Sequence, residues 1–549
     1  MLCIQEGKWP EGCGEIEGRR ASRERPSARK QAEGCDRGNG PAARDRRQTP
    51  SDWDRQRRRG GFAAVVLGLR EPNENFWKFY NAEIKKMNIK SSKFPMFISE
   101  NALQKAKGHI EGFTPEVAWV TKSGRNNLEV PIAIPPTNET IIYPFFSKYI
   151  RGYQDLPLKE KQSCSVVRLG FSNPIPFIRS HESLCEEGHS FFETKEEADN
   201  EVLKILELFR RIYEEYLAIP VVKGWKSELE KYSGCLYTTS VEAFIPNTGR
   251  GIQGATSRCL GQNFAKFGFN FEKENKAEKN AEKNAEKNAE KKAEKKAEKK
   301  AENQVENQAE KQAEKAFIWQ TSWAYTIRTI GVMVMVHGDD KGLVIPPKVS
   351  AIQIIIIPVP YKDADMEAIF AACSSAVQTL QAAGFRAEHD FGKKSPGRKY
   401  NDWEMKGVPL IIEIGPEDIA KNQVRVIRRD NGSKTDVPTA DLVEHVRDSL
   451  SNIHESLFNA AKVKRDACEK IIYSWEEFMT ALNEKKLILA PWCDEEEVEK
   501  DVKTRTENEL GAAKTLCSPF DQPSLPEGTL CFASGKPAKK WTYWGRSYD

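Results

Sequence analysis

The sequence predicts an α+β protein: one large antiparallel-sheet domain followed by two smaller α/β units. Three observations carry this reading. The chain has 549 residues, too many for one core and enough for about three domains. Residues 347–451 alternate strand-like, helix-like and strand-like segments, the pattern of a separate small α/β domain. Ahead of them, three arginines (Arg168, Arg179 and Arg328) follow apolar or β-branched residues, as strand-borne side chains around one sheet would.

The elements can be justified in chain order. Residues 1–60 hold 15 Lys+Arg and 10 Asp+Glu and lack apolar periodicity, which predicts a disordered leader. FWKFYNAEIKKMNI (Phe76–Ile89) has apolar residues at helical spacing, and Pro72 can start that helix. KFPMFI then reads as a strand broken by Pro95, and Glu196–Ile219 as a long amphipathic helix. Residues 273–315 repeat AEKN and AEKK tetrads. A four-residue period advances about 400° per unit, so its alanines never form a face, and the insert should be a solvated helix or a disordered arm. The stretch from Phe317 to Pro347 reads as strand-like residues broken by glycines. AIQIIIIPVP is the run of a strand buried on both faces. AIFAACSSAVQTLQAAGF is helix-like, VPLIIEIG and QVRVIRR are strand-like, and a long polar helix opens the last segment near Asn452.

Composition narrows the classes. The formal charge of +4 sits in the leader; beyond residue 60 the charges nearly cancel, so any nucleic-acid contact is a local patch and not a basic coat. Twelve scattered cysteines without a CxxC pair point to reduced thiols. The longest apolar run near the N-terminus, Phe62–Leu69, is too short to span a bilayer.

The order of motifs is more specific than any one of them. Arg168 and Arg179 flank a proline-bearing turn in VVRLGFSNPIPFIR. GRGIQGATSRCLGQNF (Gly249–Phe264) and TSWAYTIRTIGVMVMVHGD (Thr321–Asp339) follow. Three guanidinium groups, a Gln/Thr-bearing strand and a Gly-rich end suit one polyanion held over an antiparallel sheet, and a nucleoside triphosphate fits. No GxxxxGK[ST] run occurs, so the site is not a P-loop.

These segments, together with PIAIPPTNET, EEGHSFFET, PVVKGWKSELEKY, YTTSVEAFIP, KGLVIPP and SPGRKYNDWEMKGVPLIIEIGPEDI, resemble the prolyl-tRNA synthetases of the archaeal/eukaryotic-like type, which carry a C-terminal extension ending GRSY. The resemblance covers about residues 74–549 apart from the insert. It implies a class II synthetase antiparallel-sheet catalytic domain over 73–346, an anticodon-binding α/β domain over 347–451 and a small α/β C-terminal domain over 452–549, with 1–72 unmatched. The implied reaction joins L-proline and ATP into prolyl-adenylate and then charges the 3′ end of tRNA(Pro). A cytoplasmic homodimer without membrane segments is implied too.

By motif match, Thr137 and Glu139 would hold the imino group of proline. Glu187, His189, Tyr232 and Arg258 would line its pocket. Arg168 would bridge the proline carboxylate and the α-phosphate, and Arg179 would hold the outer phosphates. Gln253 and Thr256 would help position ATP and its Mg2+. Thr326 and Arg328 match the third class II motif, with Arg328 on the γ-phosphate side. Arg168 and Arg328 are thus the expected catalytic residues. Glu404, Lys406, Arg428 and Arg429 are candidates for reading anticodon guanines, since Arg or Lys suits guanine O6/N7 and a carboxylate its amino group. Two of the four cysteines of the family's zinc site are present, Cys493 and Cys531; Val498 and Ala533 stand at the other positions. Two thiolates do not complete a tetrahedral site, so no structural zinc is expected. In the family the terminal tyrosine reaches back toward the catalytic domain; here Tyr548 is followed by Asp549.

The chain also departs from the family. Pro135 replaces an arginine, Leu169 and Gly170 a Trp-Glu pair, and His181 an arginine. Ser183 replaces an aromatic facing adenine, Cys185 a tryptophan of the proline pocket, Leu236 an acidic residue and Arg258 a histidine. Losing a stacking aromatic or a hydrogen-bonding carboxylate costs roughly 1–3 kcal/mol each. The alternative reading is therefore a catalytically weakened paralogue that binds tRNA or a partner.

Overall fold

The computed structural model describes residues 72–101, 103, 117–134, 137–168, 175, 177–263, 270–272, 315–361, 364–509 and 511–548. The expected leader up to 71, the insert up to 314, Pro135, Leu169 and Gly170 lie outside them.

Helix α1 (Pro72–Lys86) begins on the proline, whose missing N–H costs nothing at a helix start, and buries Phe76, Tyr80 and Ile84 at four-residue spacing. β1 (Lys90–Ser91) follows. The strand expected over 93–98 shrinks to β2 (Ile98–Ser99), which joins β3 (Ala118–Ser123) and β4 (Asn126–Ile134) in a three-stranded sheet of order β2-β4-β3. Pro95, with no N–H to donate, lies outside the ladder. Next come α2 (Glu139–Tyr149), β5 (Leu158–Val167), β6 (Glu182–Phe192) and α3 (Lys195–Arg211). α3 opens with a reciprocal capping box between Thr194 and Glu197, and a wider turn over Ile212–Tyr216 extends it. β7 (Val222–Trp225), β8 (Tyr237–Ile245) and β9 (Arg250–Gly261) form a meander. β10 (Asn270–Glu272) pairs with β11 (Lys315–Phe317), so the two ends of the low-complexity insert leave from one antiparallel ribbon.

β12 (Trp319–Thr326) is a strand as expected, but the residues after it are not. Arg328–His337 is helix α4, although its sequence is rich in β-branched residues. Thr329, Ile330, Gly331, Val332 and Met333 are buried, and packing of this kind overrides the weak intrinsic preference. Arg328 therefore stands at a helix start and not on a strand. Arg168 lies just beyond the end of β5, and Arg179 sits in a turn closed by a two-way backbone bridge with Ile175.

The next unit has β13 (Ile354–Pro358), α5 (Met366–Ala382), β14 (Ala387–His389), α6 (Pro396–Lys406), β15 (Leu410–Ile414), β16 (Gln423–Arg428), β17 (Lys434–Pro438) and α7 (Leu442–Asp466). Its sheet runs β14-β13-β15-β16-β17, with β13 parallel to both neighbours and buried throughout, as its apolar run predicts. α7 is one helix of 25 residues that runs across the expected boundary at 451. Leu442, Val446, Leu450, Ile453 and Leu457 belong to a single core with Ile354 and Ile412. The last elements are β18 (Glu469–Ile471), α8 (Trp475–Asn483), β19 (Leu487–Trp492), α9 (Glu496–Thr506), β20 (Ala513–Pro519) and β21 (Lys540–Ser547).

These last strands extend the large sheet. One eleven-stranded sheet has the order β1-β5-β6-β12-β9-β8-β7-β20-β21-β19-β18, and β21 also runs parallel beside the start of β9. α1, α3 and α4 share a core with one face of that sheet, where Phe76, Tyr80, Phe209, Trp323, Tyr325 and Val332 pack together. Tyr548 reaches back as the resemblance implies: its N–H donates to Gly251 O at 3.2 Å, and the Arg250 guanidinium lies 5.4 Å from its ring.

Candidate active site

The register of the large sheet gathers polar side chains. Across β5, β6, β12, β9 and β8, one row reads Gln162, Glu187, Ala324, Thr256 and Ser240; the next reads Glu160, His189, Ser322, Arg258 and Thr238. Side chains two apart along a strand share a face, so Cys185, Glu187 and His189 point the same way. Gln253 has the wrong parity to join Thr256, and a bulge corrects this. Val241 pairs with Ala255 and Glu242 with Gln253, so Gly254 is an extra residue. A Cβ on Gly254 would lie 2.7 Å from the Tyr213 ring, and Ala255 packs in that same core. Gln253 is thereby returned to the face of Thr256.

Beneath this face is a buried pocket of charged and polar groups. Thr137 Oγ1 and the Tyr232 hydroxyl share a 3.1 Å hydrogen bond. Arg258 stacks over the Tyr232 ring at 4.4 Å, donates to Thr256 Oγ1 at 2.9 Å and stands 3.9 Å from Glu139 Oε1. Glu139 is 3% exposed, and its Oε2 has no hydrogen-bond partner among the described residues. Burial raises its pKa, and Arg258 opposes that shift. Glu187 accepts from Gln162 at 2.6 Å and from Asn138 at 2.7 Å. Burial, then the neighbouring Glu139 charge, push it up to about 7. His189 takes a 3.1 Å hydrogen bond at Nδ1 with the Tyr143 hydroxyl; burial, then Arg258, lower it to about 3, so it is neutral at physiological pH. Two buried carboxylates thus face one half-buried guanidinium, an arrangement that favours one further cation.

The arginines expected on the phosphate side lie beside this face. Arg168 is exposed, donates its backbone N–H to His181 O at 2.8 Å, and its charge is felt at Glu139 and Cys185. Arg179 is exposed too. Arg328 Nε donates to Ile178 O at 3.0 Å and Nη1 to Gln253 O at 3.2 Å, while its N–H is held by Thr326 Oγ1 at 3.2 Å. Arg328 therefore joins the turn carrying Arg179 to the strand carrying Gln253.

The four anticodon candidates divide. Lys406 is exposed, with its ammonium 3.8 Å from the Trp403 ring centroid. Arg428 forms a bidentate pair with Asp430 at 3.0 and 2.7 Å, and Glu404 accepts from Lys341 at 3.0 Å. Arg429 is turned inward: it grips Asp339 with two 2.7 Å bonds and donates to Glu404 O at 2.8 Å, which leaves its fork committed within the protein. Cys493 and Cys531 share one buried cluster, where Ser534 donates to Cys493 Sγ at 3.6 Å and Val498 and Ala533 pack as apolar neighbours.

Sequence reasoning missed Asn138, Tyr143 and Gln162. Asn138 lies between two named residues in PTNE, so the motif itself held that signal. Gln162 and Tyr143 are placed only by strand register and helix packing, which no local pattern reveals.

Three family profiles match in succession: "tRNA synthetase class II core domain (G, H, P, S and T)" over residues 120–284, "Anticodon binding domain" over 353–449, and "Prolyl-tRNA synthetase, C-terminal" over 475–548. The chain is 62% identical over 472 residues to "Proline--tRNA ligase, cytoplasmic" of Arabidopsis thaliana, spanning 86% of this chain and 82% of that protein. It is 38% identical over 484 residues to "Proline--tRNA ligase" of Encephalitozoon cuniculi, spanning 86% and 89%. It is 42% identical over 500 residues to "Bifunctional glutamate/proline--tRNA ligase" of Mus musculus, spanning 87% of this chain and 31% of that one. With the polar pocket and arginine-lined rim in place on such a sheet, the chain belongs to the prolyl-tRNA synthetases.

Proposed function

We propose that this chain activates L-proline with ATP and transfers the prolyl group to the 3′ end of tRNA(Pro). The observation that carries the substrate assignment is the buried Glu139 carboxylate, whose Oε2 has no hydrogen-bond partner among the described residues, beside Thr137 and Tyr232. A cationic secondary amine of small size answers both its charge and its missing hydrogen bond. The proline carboxylate is already a nucleophile, so no general base is needed. Its oxygen attacks the α-phosphorus, the bond to the β-phosphate oxygen breaks, and pyrophosphate leaves. The protein contributes in-line positioning and stabilisation of the charge that builds on phosphorus.

Arg168 bridges the proline carboxylate and the α-phosphate, and Arg179 and Arg328 hold the outer phosphates. Thr326 fixes the start of α4. Mg2+ would arrive on the triphosphate, with the Gln253 and Thr256 side-chain oxygens as hard donors beside it. When bound, it neutralises phosphate charge. Glu187, Asn138 and His189 shape the proline pocket, with Arg258 balancing its carboxylates. Lys406, Arg428 and Glu404 read the anticodon. Val498 and Ala533 supply no thiolate beside Cys493 and Cys531, so this reading includes no structural zinc. The chain acts in the cytoplasm, as the printed name of the Arabidopsis relative says of that protein. Among the described residues no helix is long and apolar enough to cross a membrane. A homodimer is supported by exposed Trp119, Val130, Phe145 and Tyr149 on β3, β4 and α2. Proline-dependent ATP–pyrophosphate exchange by the full chain tests the activity; its absence from folded protein overturns the reading.

A further inference from the structure

The segment after α4 is built into the anticodon-binding unit through its backbone as well as its charges. Leu343 N donates to Met405 O at 3.0 Å and Ile345 N to Gly407 O at 3.4 Å. This approach needs two glycines. A Cβ on Gly342 (φ +137°) would stand 2.5 Å from Met405 O, and one on Gly407 (φ +77°) 2.7 Å from the Leu343 carbonyl. Over that seam, Asp339 takes both ends of the Arg429 fork at 2.7 Å, and Arg429 Nε holds Glu404 O at 2.8 Å. The Arg429 side chain is 2% exposed. Glu404 Oε1 in turn accepts from Lys341 at 3.0 Å.

The position of this joint matters. Asp339 lies two residues beyond the last residue of α4, and Arg328 is the first residue of that same helix. Ten helical residues form a rod of about 15 Å. One end of the rod carries the guanidinium bound to Ile178 O and Gln253 O at the phosphate rim. The other is clamped to Arg429, the immediate neighbour of Arg428 and a partner of the Glu404 backbone, within the proposed anticodon face. A packed rod clamped at one end transmits a shift to the other instead of absorbing it.

We propose that Asp339 is a positioning residue that couples anticodon engagement to Arg328: its pair with Arg429 lets the anticodon-binding unit set the register of α4, and so the rate of the catalytic steps. The proposal rests on the ligase reading above. It concerns kcat, because binding energy at the anticodon becomes useful to chemistry only if it is felt at the reacting groups.

The test uses the full chain, tRNA(Pro) transcript and the same transcript with its anticodon guanines replaced. The unaltered chain must first show proline-dependent exchange without tRNA; its absence overturns the ligase reading and the proposal that rests on it, whereas the comparisons below overturn the proposal alone. It is then expected to lose at least tenfold in charging kcat on the altered transcript. Asp339→Asn should keep tRNA-free exchange within twofold and lose about tenfold in kcat on the natural transcript. On the altered transcript it should show no further drop in kcat, while the KM difference between transcripts persists. Asp339→Glu, which keeps the charge, should recover much of the kcat. The proposal is overturned if Asp339→Asn lowers exchange and charging in parallel, since the pair is then only architectural. It is equally overturned if the variant still discriminates the transcripts in kcat as the unaltered chain does, or if the unaltered chain shows no anticodon effect on kcat.

Discussion

Glu139→Gln removes one charge and almost no volume. The carboxylate is buried, Oε2 lacks a partner among the described residues, and Arg258 Nη1 stands 3.9 Å from Oε1. A substrate cation about 4 Å away gains about 4 kcal/mol at an effective dielectric near 20. Removing one member of a buried pair costs about 3–5 kcal/mol. Arg258 already neutralises part of this carboxylate, so the lower end applies, about 3 kcal/mol. That corresponds to a rise of roughly 150-fold in KM for proline, at about 1.4 kcal/mol per decade. The assay is proline-dependent ATP–pyrophosphate exchange with proline varied at saturating ATP, then ATP varied at saturating proline. The expected KM for ATP stays within about threefold, because the triphosphate is held by the arginines. A proline KM that rises less than fivefold, or an ATP KM that rises in step with it, refutes the placement of the imino group.

Other outcomes follow from the same geometry. Glu187 has its pKa raised to about 7 by burial and by Glu139, so it is largely protonated at pH 6 and ionised at pH 8. KM for proline should therefore fall as pH rises through 7, and Glu187→Gln should flatten that profile; an equally steep profile in the variant assigns the slope elsewhere. Arg168→Lys keeps the charge but loses the planar fork, and exchange should drop about 10–100-fold, with near-normal turnover contradicting a bidentate role. Gly407→Ala puts a Cβ at φ +77° against the Leu343 backbone, a cost of about 1–3 kcal/mol. Thermal unfolding should shift down by several degrees, and an unchanged midpoint would show that the seam yields. A strong chelator should leave that midpoint unmoved; a fall would reveal a structural metal.

Legibility in the sequence followed how local each signal was. The apolar period of Phe76–Ile84 and the Pro72 start are local, and that helix stands where the pattern puts it. The run Ile354–Pro358 is a strand buried on both faces, as an unbroken apolar run should be. Arg328–His337 misled because β-branched residues suggest a strand, whereas burial against β8, β9, β12 and α7 made them a helix. In the site, Thr137 and Glu139 were legible through a motif. The Asn138–Glu187–Gln162 contact joins residues 49 and 25 apart, and only strand register creates it. Arg429 was misjudged for the same reason: a basic residue at a strand end gives no sign that Asp339, 90 residues earlier, already occupies it.

The parallel pairing of β21 with the start of β9 bears on how the protein is made. β9 carries Gln253, Thr256 and Arg258, yet its lower edge is closed by Arg546 and Ser547, with Ser547 O bound to Arg250 across 297 residues. Synthesis runs from N- to C-terminus, so this edge stays open until Ser547, 297 residues beyond Arg250, has been added. Such distant closure is slow, and an unpaired edge invites wrong partners in the meantime. Only a chain translated through β21 completes this edge of the sheet.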